Sequence, residues 1–268
     1  MTAPAVQLRA EPAPWHPLRE ALRAGWVLGL RELRTSLRTP AYVIPNVVFP
    51  VIFFFVMVGS LEEFAGSFGV ANWEAYQLPV AILFAVQGGS AGLNMVADIE
   101  SGYLDKLLVT PASRLSILIG AMTADLTRVI VQATLVLLVA AAVGVDFATG
   151  VPGAVVLILL SGLYGLGFSG IGFAVALKTG NAQSTQSVWF LFMPMMFLTT
   201  LFAPKEALSG WLGTAATVNP LTYILAGMRS LAMTGWDGSD LGGAAVAVTA
   251  IGVVGVGLPM LAFRGRVR

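Results

Sequence analysis

The stretch ESGYLDKLLVTPASR, residues Glu100–Arg114, is a polar segment that lies between two long apolar runs of the chain. Leu104, Leu107 and Leu108 recur in it at helical spacing, and Pro111 ends the pattern. This spacing predicts a helix of about two turns with one apolar edge. Because so short a helix is not stable alone in water, it must pack against another structure.

Two kinds of contact would satisfy the apolar edge. The helix packs against the chain's own helices and the lipid headgroups, or it inserts as a peg into a cytoplasmic partner. Ser101 is a candidate N-cap for the helix, and Asp105 and Lys106 form its charged edge. The residues alone leave both contacts open.

The composition around this segment is that of an integral membrane protein. Hydrophobic residues make up 57% of the 268 positions and charged residues only 11%, far from the balance of a soluble domain. Cysteine is absent, which excludes disulfides and cysteine-based metal sites. The single histidine, His16, is more typical of a solvated residue than of a ligand. The apolar composition therefore predicts membrane lipid as a partner, and we expect no nucleic acid.

Six segments contain the roughly 20 apolar residues that a membrane-spanning helix needs. They lie at roughly 42–59, 75–97, 115–143, 152–177, 185–203 and 241–263. A seventh apolar region, 207–235, is interrupted by several glycines and by Asn219 and Pro220. It predicts two short re-entrant or interfacial helices, since irregular backbone at membrane depth must be surrounded by protein or water.

The basic residues predict the orientation of these spans. With the N-terminus in the cytoplasm, twelve of the 15 Lys and Arg residues are cytoplasmic. Lys205 and Arg229 then lie outside, and Arg128 lies within the third span. The positive-inside rule therefore favours cytoplasmic N- and C-termini, with Glu100–Arg114 on the cytoplasmic side and region 207–235 on the extracellular side.

The chain divides into three parts. Residues 1–17 are rich in Ala and Pro and predict a flexible tail. Residues 18–40 place leucines on one helical face with arginines beside it, which predicts an amphipathic elbow helix on the inner leaflet or a plain basic anchor. Residues 41–268 form a single transmembrane domain.

Two motifs resemble those of a known family. The pattern E-x-G-x-L-x-x-L-L-x-T-P-x-S-R resembles the cytoplasmic-loop signature of ABC-2 type transporter permeases, and is most similar to the daunorubicin-resistance exporter membrane subunits. A second match, on the predicted extracellular side, resembles the family's re-entrant segment with its N-P-L-T sequence and downstream arginine. The first match comprises Glu100, Gly102, Leu104, Leu107, Leu108, Thr110, Pro111, Ser113 and Arg114, and the second Trp211, Asn219, Pro220, Tyr223 and Arg229.

The resemblance implies an all-α permease whose segment Glu100–Thr110 is the coupling helix to a separate ATPase subunit. It further implies two ATPase copies that hold ATP and Mg, and a second permease that is the same chain or a homologue. The sequence has no G-x-x-x-x-G-K-[ST] phosphate loop, so we expect no ATPase activity in this chain. The implied location is a cell membrane, in a bacterium.

The resemblance leaves the transported substrate open. We expect export of an amphipathic drug, natural product or lipid. Export of a lipid-linked cell-envelope glycan is the alternative within the class. A stand-alone channel or structural membrane protein without an ATPase is the alternative of another class.

Several side chains within the spans are candidates for function. Asp125 and Arg128, three residues apart, predict an ion pair that either fixes a helix or contacts substrate. Span four carries a small-residue stripe, Ser161, Gly165 and Ser169, which is typical of a packing seam. Polar and Met/Phe side chains of spans two and five predict a substrate path or dimer seam, with ordinary packing as the alternative. This set comprises Gln87, Asn94, Trp189, Phe192, Met193, Met196 and Phe197.

Overall fold

The regular secondary structure of the described residues is entirely helical. The computed structural model describes positions 23, 26, 27, 30 and 34 and the ranges 40–67, 69–70, 72–87, 92–109 and 114–265, and none of these residues forms a strand. A 3-10 turn spans Lys205–Ala207, and a π-helix spans Ser230–Thr234. The α-helices of these ranges are α1 (Pro40–Ser67), α2 (Trp73–Gln87), α3 (Leu93–Glu100), α4 (Tyr103–Leu108), α5 (Arg114–Ala142), α6 (Gly150–Thr179), α7 (Ala182–Phe197), α8 (Gly210–Val218), α9 (Pro220–Arg229) and α10 (Gly238–Gly265).

Three helices are long and apolar enough to cross a membrane within the described ranges. They contain Ile117–Ala142, Gly150–Thr179 and Gly238–Ala262, and they correspond to the third, fourth and sixth predicted spans. Helix α1 covers the first predicted span and extends to Ser67. The predicted tail 1–17 and elbow helix 18–40 lie outside the described residues, apart from the isolated positions above and the start of α1.

The second and fifth predicted spans differ from the structure in their extent. The segment 75–97 is not one helix, because α2 ends at Gln87 and α3 begins at Leu93 after Gly92, whose φ is 79°. The segment 185–203 is helical only as far as Phe197. Helices of 15 and 16 residues are about 23 Å long, shorter than the roughly 30 Å hydrocarbon core. The total of six spans stays a prediction.

Helix α6 lies at the centre of the helix packing, against α5, α7, α10 and the short α3. Its contact with α10 is at backbone distance. A Cβ atom built on Gly167 would meet the backbone of Ile251, and one built on Gly170 would meet the carbonyl group of Gly255. Glycine is therefore the residue that allows this crossing, as small residues do at helix interfaces in membranes.

The predicted small-residue stripe of α6 is buried, as a packing seam requires. A Cβ on Gly165 would lie 2.7 Å from Val129 of α5 and 3.0 Å from Val86 of α2. Ser161 donates a hydrogen bond to the Leu157 carbonyl of its own helix. The three helices α2, α5 and α6 thus meet at the level of Gly165.

Helix α2 is enclosed by protein, since almost every side chain from Trp73 to Gln87 is buried. It packs against α1, α5, α6 and α9 and contributes much of the main hydrophobic core. A second cluster joins α3 and α4 to the neighbouring ends of α5 and α6. This second cluster therefore positions α4 and the end of α3.

The region 207–235 contains the two short helices that its interrupted pattern predicts, α8 and α9, followed by the π-helix. The loop before α6 is hydrogen-bonded to this region, because the Ala148 amide donates to the Ala232 carbonyl and the Thr149 hydroxyl donates to the Leu231 carbonyl. The short helices are therefore tied to one end of α6. Their depth in a bilayer stays a prediction.

The α6–α10 crossing predicts a strong contrast between two glycine-to-alanine substitutions. Gly170→Ala forces the helices apart, and such overpacking costs about 1–3 kcal/mol, which corresponds to a melting temperature about 3–10 °C lower. Gly252→Ala on α10 meets no atom within 4 Å and should leave the melting temperature unchanged or slightly raised. Thermal unfolding of the purified variants in detergent measures both. Equal melting temperatures would contradict a glycine-dependent crossing.

Candidate functional site

The segment matched by the first motif forms a sharp bend between two helices. Helix α3 ends at Glu100, whose side chain is exposed, and Gly102 precedes α4 with a φ of 68°. That left-handed conformation favours glycine. Steric crowding does not explain the glycine, because no atom lies within 4 Å of a Cβ built there. The prediction that Ser101 caps α4 is wrong. Ser101 ends α3, where its amide donates to the Ala97 carbonyl, and Gly102 occupies the N-cap position.

The orientation of α4 separates its apolar side chains into two groups. Leu104 is 1% exposed and packs in the second cluster with Ile117 of α5 and Phe173 of α6. Leu107 packs partly against the same cluster. The chain's own helices therefore enclose Leu104 and contact Leu107. Thr110 and Pro111 lie outside the described residues, as do the side chains of Leu108 and Arg114.

The opposite side of α4 faces away from the protein. Val109 is 87% exposed and Tyr103 is 38% exposed, and Asp105 and Lys106 are exposed beside them. We call Tyr103 and Lys106, together with the C-cap residue Val109, the outer face of α4. Because α4 is only six residues long, its position depends on Leu104 rather than on intrinsic helix stability.

The two charged residues of α5 form an ion pair inside the protein. Arg128 Nη2 lies 2.6 Å from Asp125 Oδ1, and both side chains are buried. The Ser169 hydroxyl of α6 hydrogen-bonds to the Asp125 carboxylate. The pair therefore links α5 to α6, and its opposite charges compensate each other in the low-dielectric interior.

A second polar contact lies at the same level. Gln87 Nε2 donates a hydrogen bond of 2.8 Å to the Tyr164 hydroxyl. Gly165 contacts both Val129 and Val86, so their chain neighbours Arg128 and Gln87 lie at one height in the bundle. Three helices are thus joined by polar groups near the middle of α6, a way of holding helices together where lipid is as apolar as the side chains. Asn94, the other polar candidate of span two, is half-buried in the first turn of α3.

Helix α7 divides the Met/Phe candidates between its two sides. Phe192 and Met196 are buried, and Phe192 lies edge-on to Phe168 of α6 with ring centroids 4.8 Å apart. Trp189 and Met193 are half-buried. Phe197 is exposed, together with Phe190 and Leu191. The predicted substrate wall is therefore not one surface, because Met196 lies in the core in this conformation.

Asn219 connects the short helices to the end of α7. Its Oδ1 accepts a hydrogen bond from the Leu221 amide and caps α9, and Pro220 occupies the first position of that helix, where its missing N–H is not needed. Asn219 Nδ2 donates to the carbonyls of Met195 and Leu198. One asparagine thus satisfies groups of two helix ends.

Arg229 is the most highly connected polar residue of this region. It is buried at the end of α9, and its guanidinium donates to the Tyr76 carbonyl at 3.0 Å, the Thr200 hydroxyl at 2.7 Å and the Thr200 carbonyl at 2.9 Å. It also stacks on the Tyr76 ring, a cation–π contact. Burial lowers the pKa of Arg229 to about 10, so it remains cationic at neutral pH.

The partners of Arg229 complete a layer that the sequence motif does not reveal. The Tyr76 hydroxyl donates to the Thr200 carbonyl, and Trp73 stacks on the Tyr76 ring with centroids 5.0 Å apart. Among the described residues no carboxylate pairs with Arg229, so carbonyl oxygens and a ring meet its charge. Trp211 is 74% exposed, and the exposed Tyr223 donates its hydroxyl hydrogen to the Thr217 carbonyl.

Comparison with known proteins matches a span of the chain that contains both motifs. The family model described as ABC-2 type transporter matches residues 23–233. The ycf38 protein of Cyanophora paradoxa, named as a transport permease, is 28% identical over 204 residues, 72% of this chain and 69% of the relative. The "Probable doxorubicin resistance ABC transporter permease protein DrrC" of Mycobacterium tuberculosis is 26% identical over 195 residues, 72% of this chain and 71% of the relative.

A third relative aligns with a smaller part of the chain. The "Probable multidrug ABC transporter permease YbhR" of Escherichia coli is 31% identical over 135 residues, which is 49% of this chain and 35% of the relative. No solved structure matches the chain at a significant level. The sequence matches therefore carry the comparison.

Arg229 yields a stability prediction. Arg229→Lys keeps the charge but cannot reproduce the planar fork of donors, and hydrogen bonds to charged groups contribute about 1.5–3 kcal/mol each. We expect a loss of about 2–4 kcal/mol, seen as a lower melting temperature, and a smaller loss for Thr200→Val. Lys205→Gln, which changes an exposed cation, is the control and should melt as the unmodified protein does. An unchanged melting temperature for Arg229→Lys would show that the fork contributes nothing.

Proposed function

The chain belongs to the ABC-2 type transporter family, and we propose that it is the membrane-spanning permease subunit of an ABC exporter. It moves an amphipathic drug, natural product or lipid out of the cell. The energy comes from ATP hydrolysed by a separate subunit, which holds the nucleotide and Mg. Two such subunits and a second permease complete the transporter.

The match over residues 23–233 is the observation that carries this proposal, and the orientation of α4 supports it. In this account the ATPase contacts the outer face of α4, that is Tyr103, Lys106 and Val109. Leu104 seats the helix between the ends of α5 and α6. Because packed interiors deform little, a displacement of α4 moves those two helices with it.

This role of α4 differs from a simple peg. A peg would leave Leu104 accessible to the ATPase, whereas Leu104 lies in the chain's own cluster. In this account α4 packs against the chain's own helices on one side and contacts the cytoplasmic partner on the other. The exposed side recognises the partner, and the buried side transmits its movement.

The proposed orientation places both termini and α4 in the cytoplasm. The distribution of Lys and Arg supports it, and so does the separation of the two motif regions in the structure. Helix α4 packs at the end of α6 that contains Phe173. The short helices attach to the opposite end, beside Thr149. The two regions therefore lie at opposite ends of a helix long enough to cross a membrane.

The proposed substrate class rests on the relatives, one of which is named for doxorubicin resistance and another as a multidrug transporter permease. An apolar, adaptable surface suits a varied set of amphipathic passengers. The exposed half of α7, with Phe190, Leu191 and Phe197, offers such a surface. We place the substrate path or the seam with the second permease there, with the half-buried Trp189 and Met193 at its margin.

The coupling role predicts different effects for the two sides of α4. Val109→Asp places a charge on the outer face and should reduce co-purification of the Walker-A ATPase at least tenfold while the permease level in the membrane is unchanged. Leu104→Asp buries an unpaired charge, which is costly, and should lower the permease level itself. Leu107→Asp would mix the two effects because Leu107 contacts the same cluster. Quantitative mass spectrometry of the purified complexes measures both quantities.

The matched control is Val218→Asp, a valine that is 79% exposed in the predicted extracellular region. It should retain the ATPase fully. The same positions report orientation, because the chain has no other cysteine: Val218→Cys should react with an impermeant maleimide in intact cells, and Val109→Cys only after permeabilisation. Normal ATPase binding by Val109→Asp would refute the proposed face, and reversed labelling would refute the orientation.

A further inference from the structure

A groove of about 630 Å³ runs between α6 and α10 beyond their glycine crossing. Gly170 and Gly255 bring the two backbones together. One to two turns further along, Ala174 and Ala262 line the gap between the helices. Their side chains are too short to fill the space that the neighbouring leucines leave. The groove is therefore a consequence of the same small-residue packing that holds the helices together.

The groove has an apolar body. Val175, Leu258 and Leu261 contribute to its walls, and both leucines are exposed on the membrane-facing side of α10. Its volume lies in the range of sites that bind small molecules. An elongated hydrocarbon chain suits such a surface, because each CH₂ group removed from water contributes about 0.8 kcal/mol.

One cation lies at the end of this apolar groove. Lys178 lines it from the last turn of α6, where the helix dipole favours a positive charge. The lysine is exposed, and no ion pair with it occurs among the described residues. The groove thus combines a hydrocarbon surface with a positive end.

We propose that this groove binds one anionic phospholipid, with an acyl chain along α10 and the phosphate at the Lys178 ammonium. The charge and the apolar body match the two parts of such a lipid. A second copy of this chain is a poorer occupant, because a symmetric contact on this face would bring two Lys178 side chains together. The groove is separate from the outer face of α4. Lipid binding there does not depend on which side of the membrane the termini face.

Quenching of a single fluorophore by brominated lipid tests the proposal. The full-length chain with Leu258→Cys, labelled with bimane and placed in bilayer discs, should be quenched about fivefold more effectively by brominated phosphatidylglycerol than by brominated phosphatidylcholine. That factor corresponds to about 1 kcal/mol per basic residue at an anionic lipid. Bimane at Leu138→Cys, on the exposed side of α5, should be quenched equally by both lipids.

Charge variants identify the headgroup contact. Lys178→Gln should abolish the preference at Leu258→Cys, and Lys178→Arg should keep it. Lys205→Gln, remote from the groove, should also keep it. Equal quenching by the two lipids in the unmodified background, or a preference that survives Lys178→Gln, would overturn the proposal. Exclusion of both lipids from the labelled protein, together with disulfide-linked dimers of the unlabelled Leu258→Cys variant, would overturn it in favour of a second copy.

Discussion

The close approach of α6 and α10 through Gly167, Gly170 and Gly255 is the contact on which the rest of the structure depends. In a bilayer the hydrophobic effect does not drive helices together, because lipid tails are as apolar as leucine. Association then relies on close packing and on polar contacts. The glycines let two spanning helices meet at backbone distance, and α6 in turn receives α5 and α2 at Gly165. This arrangement fixes the heights at which the buried polar groups meet.

Polar groups then fasten the bundle at two levels. At mid-height, Asp125, Arg128 and Ser169 join α5 to α6, and Gln87 with Tyr164 joins α2 to α6. At the predicted extracellular end, Arg229 holds α9, α2 and the turn after α7 in one layer. At the opposite end, the second hydrophobic cluster seats α4.

The sequence predicted the features that depend on neighbouring residues. Hydropathy gave the three long spans, and the three-residue spacing of Asp125 and Arg128 led to an ion pair that the structure contains. The interrupted pattern of 207–235 indicated two short helices. The buried side of α7 also follows a local pattern, since Val188, Phe192 and Met196 recur at helical spacing. The Met/Phe composition of the helix does not separate that side from the exposed one.

Other features depend on contacts between distant residues. Arg229 meets Tyr76 and Thr200, 153 and 29 positions away, and no local pattern specifies that pairing. The side of α4 that faces the protein depends on the bend at Gly102 and on where α5 and α6 end. Hydropathy also ran through the break at Gly92, because residues 88–92 are small and uncharged.

Site-specific photo-cross-linking from α4 in native membranes tests the central claim most directly. A benzophenone amino acid at position 109 should form an adduct with a Walker-A ATPase identified by mass spectrometry, and one at position 104 should form only adducts within the chain. Because a soluble ATPase is confined to the cytoplasm, the result also reports the side on which α4 lies. Adducts with the ATPase from position 104, or none from position 109 in a transport-competent complex, would contradict this account.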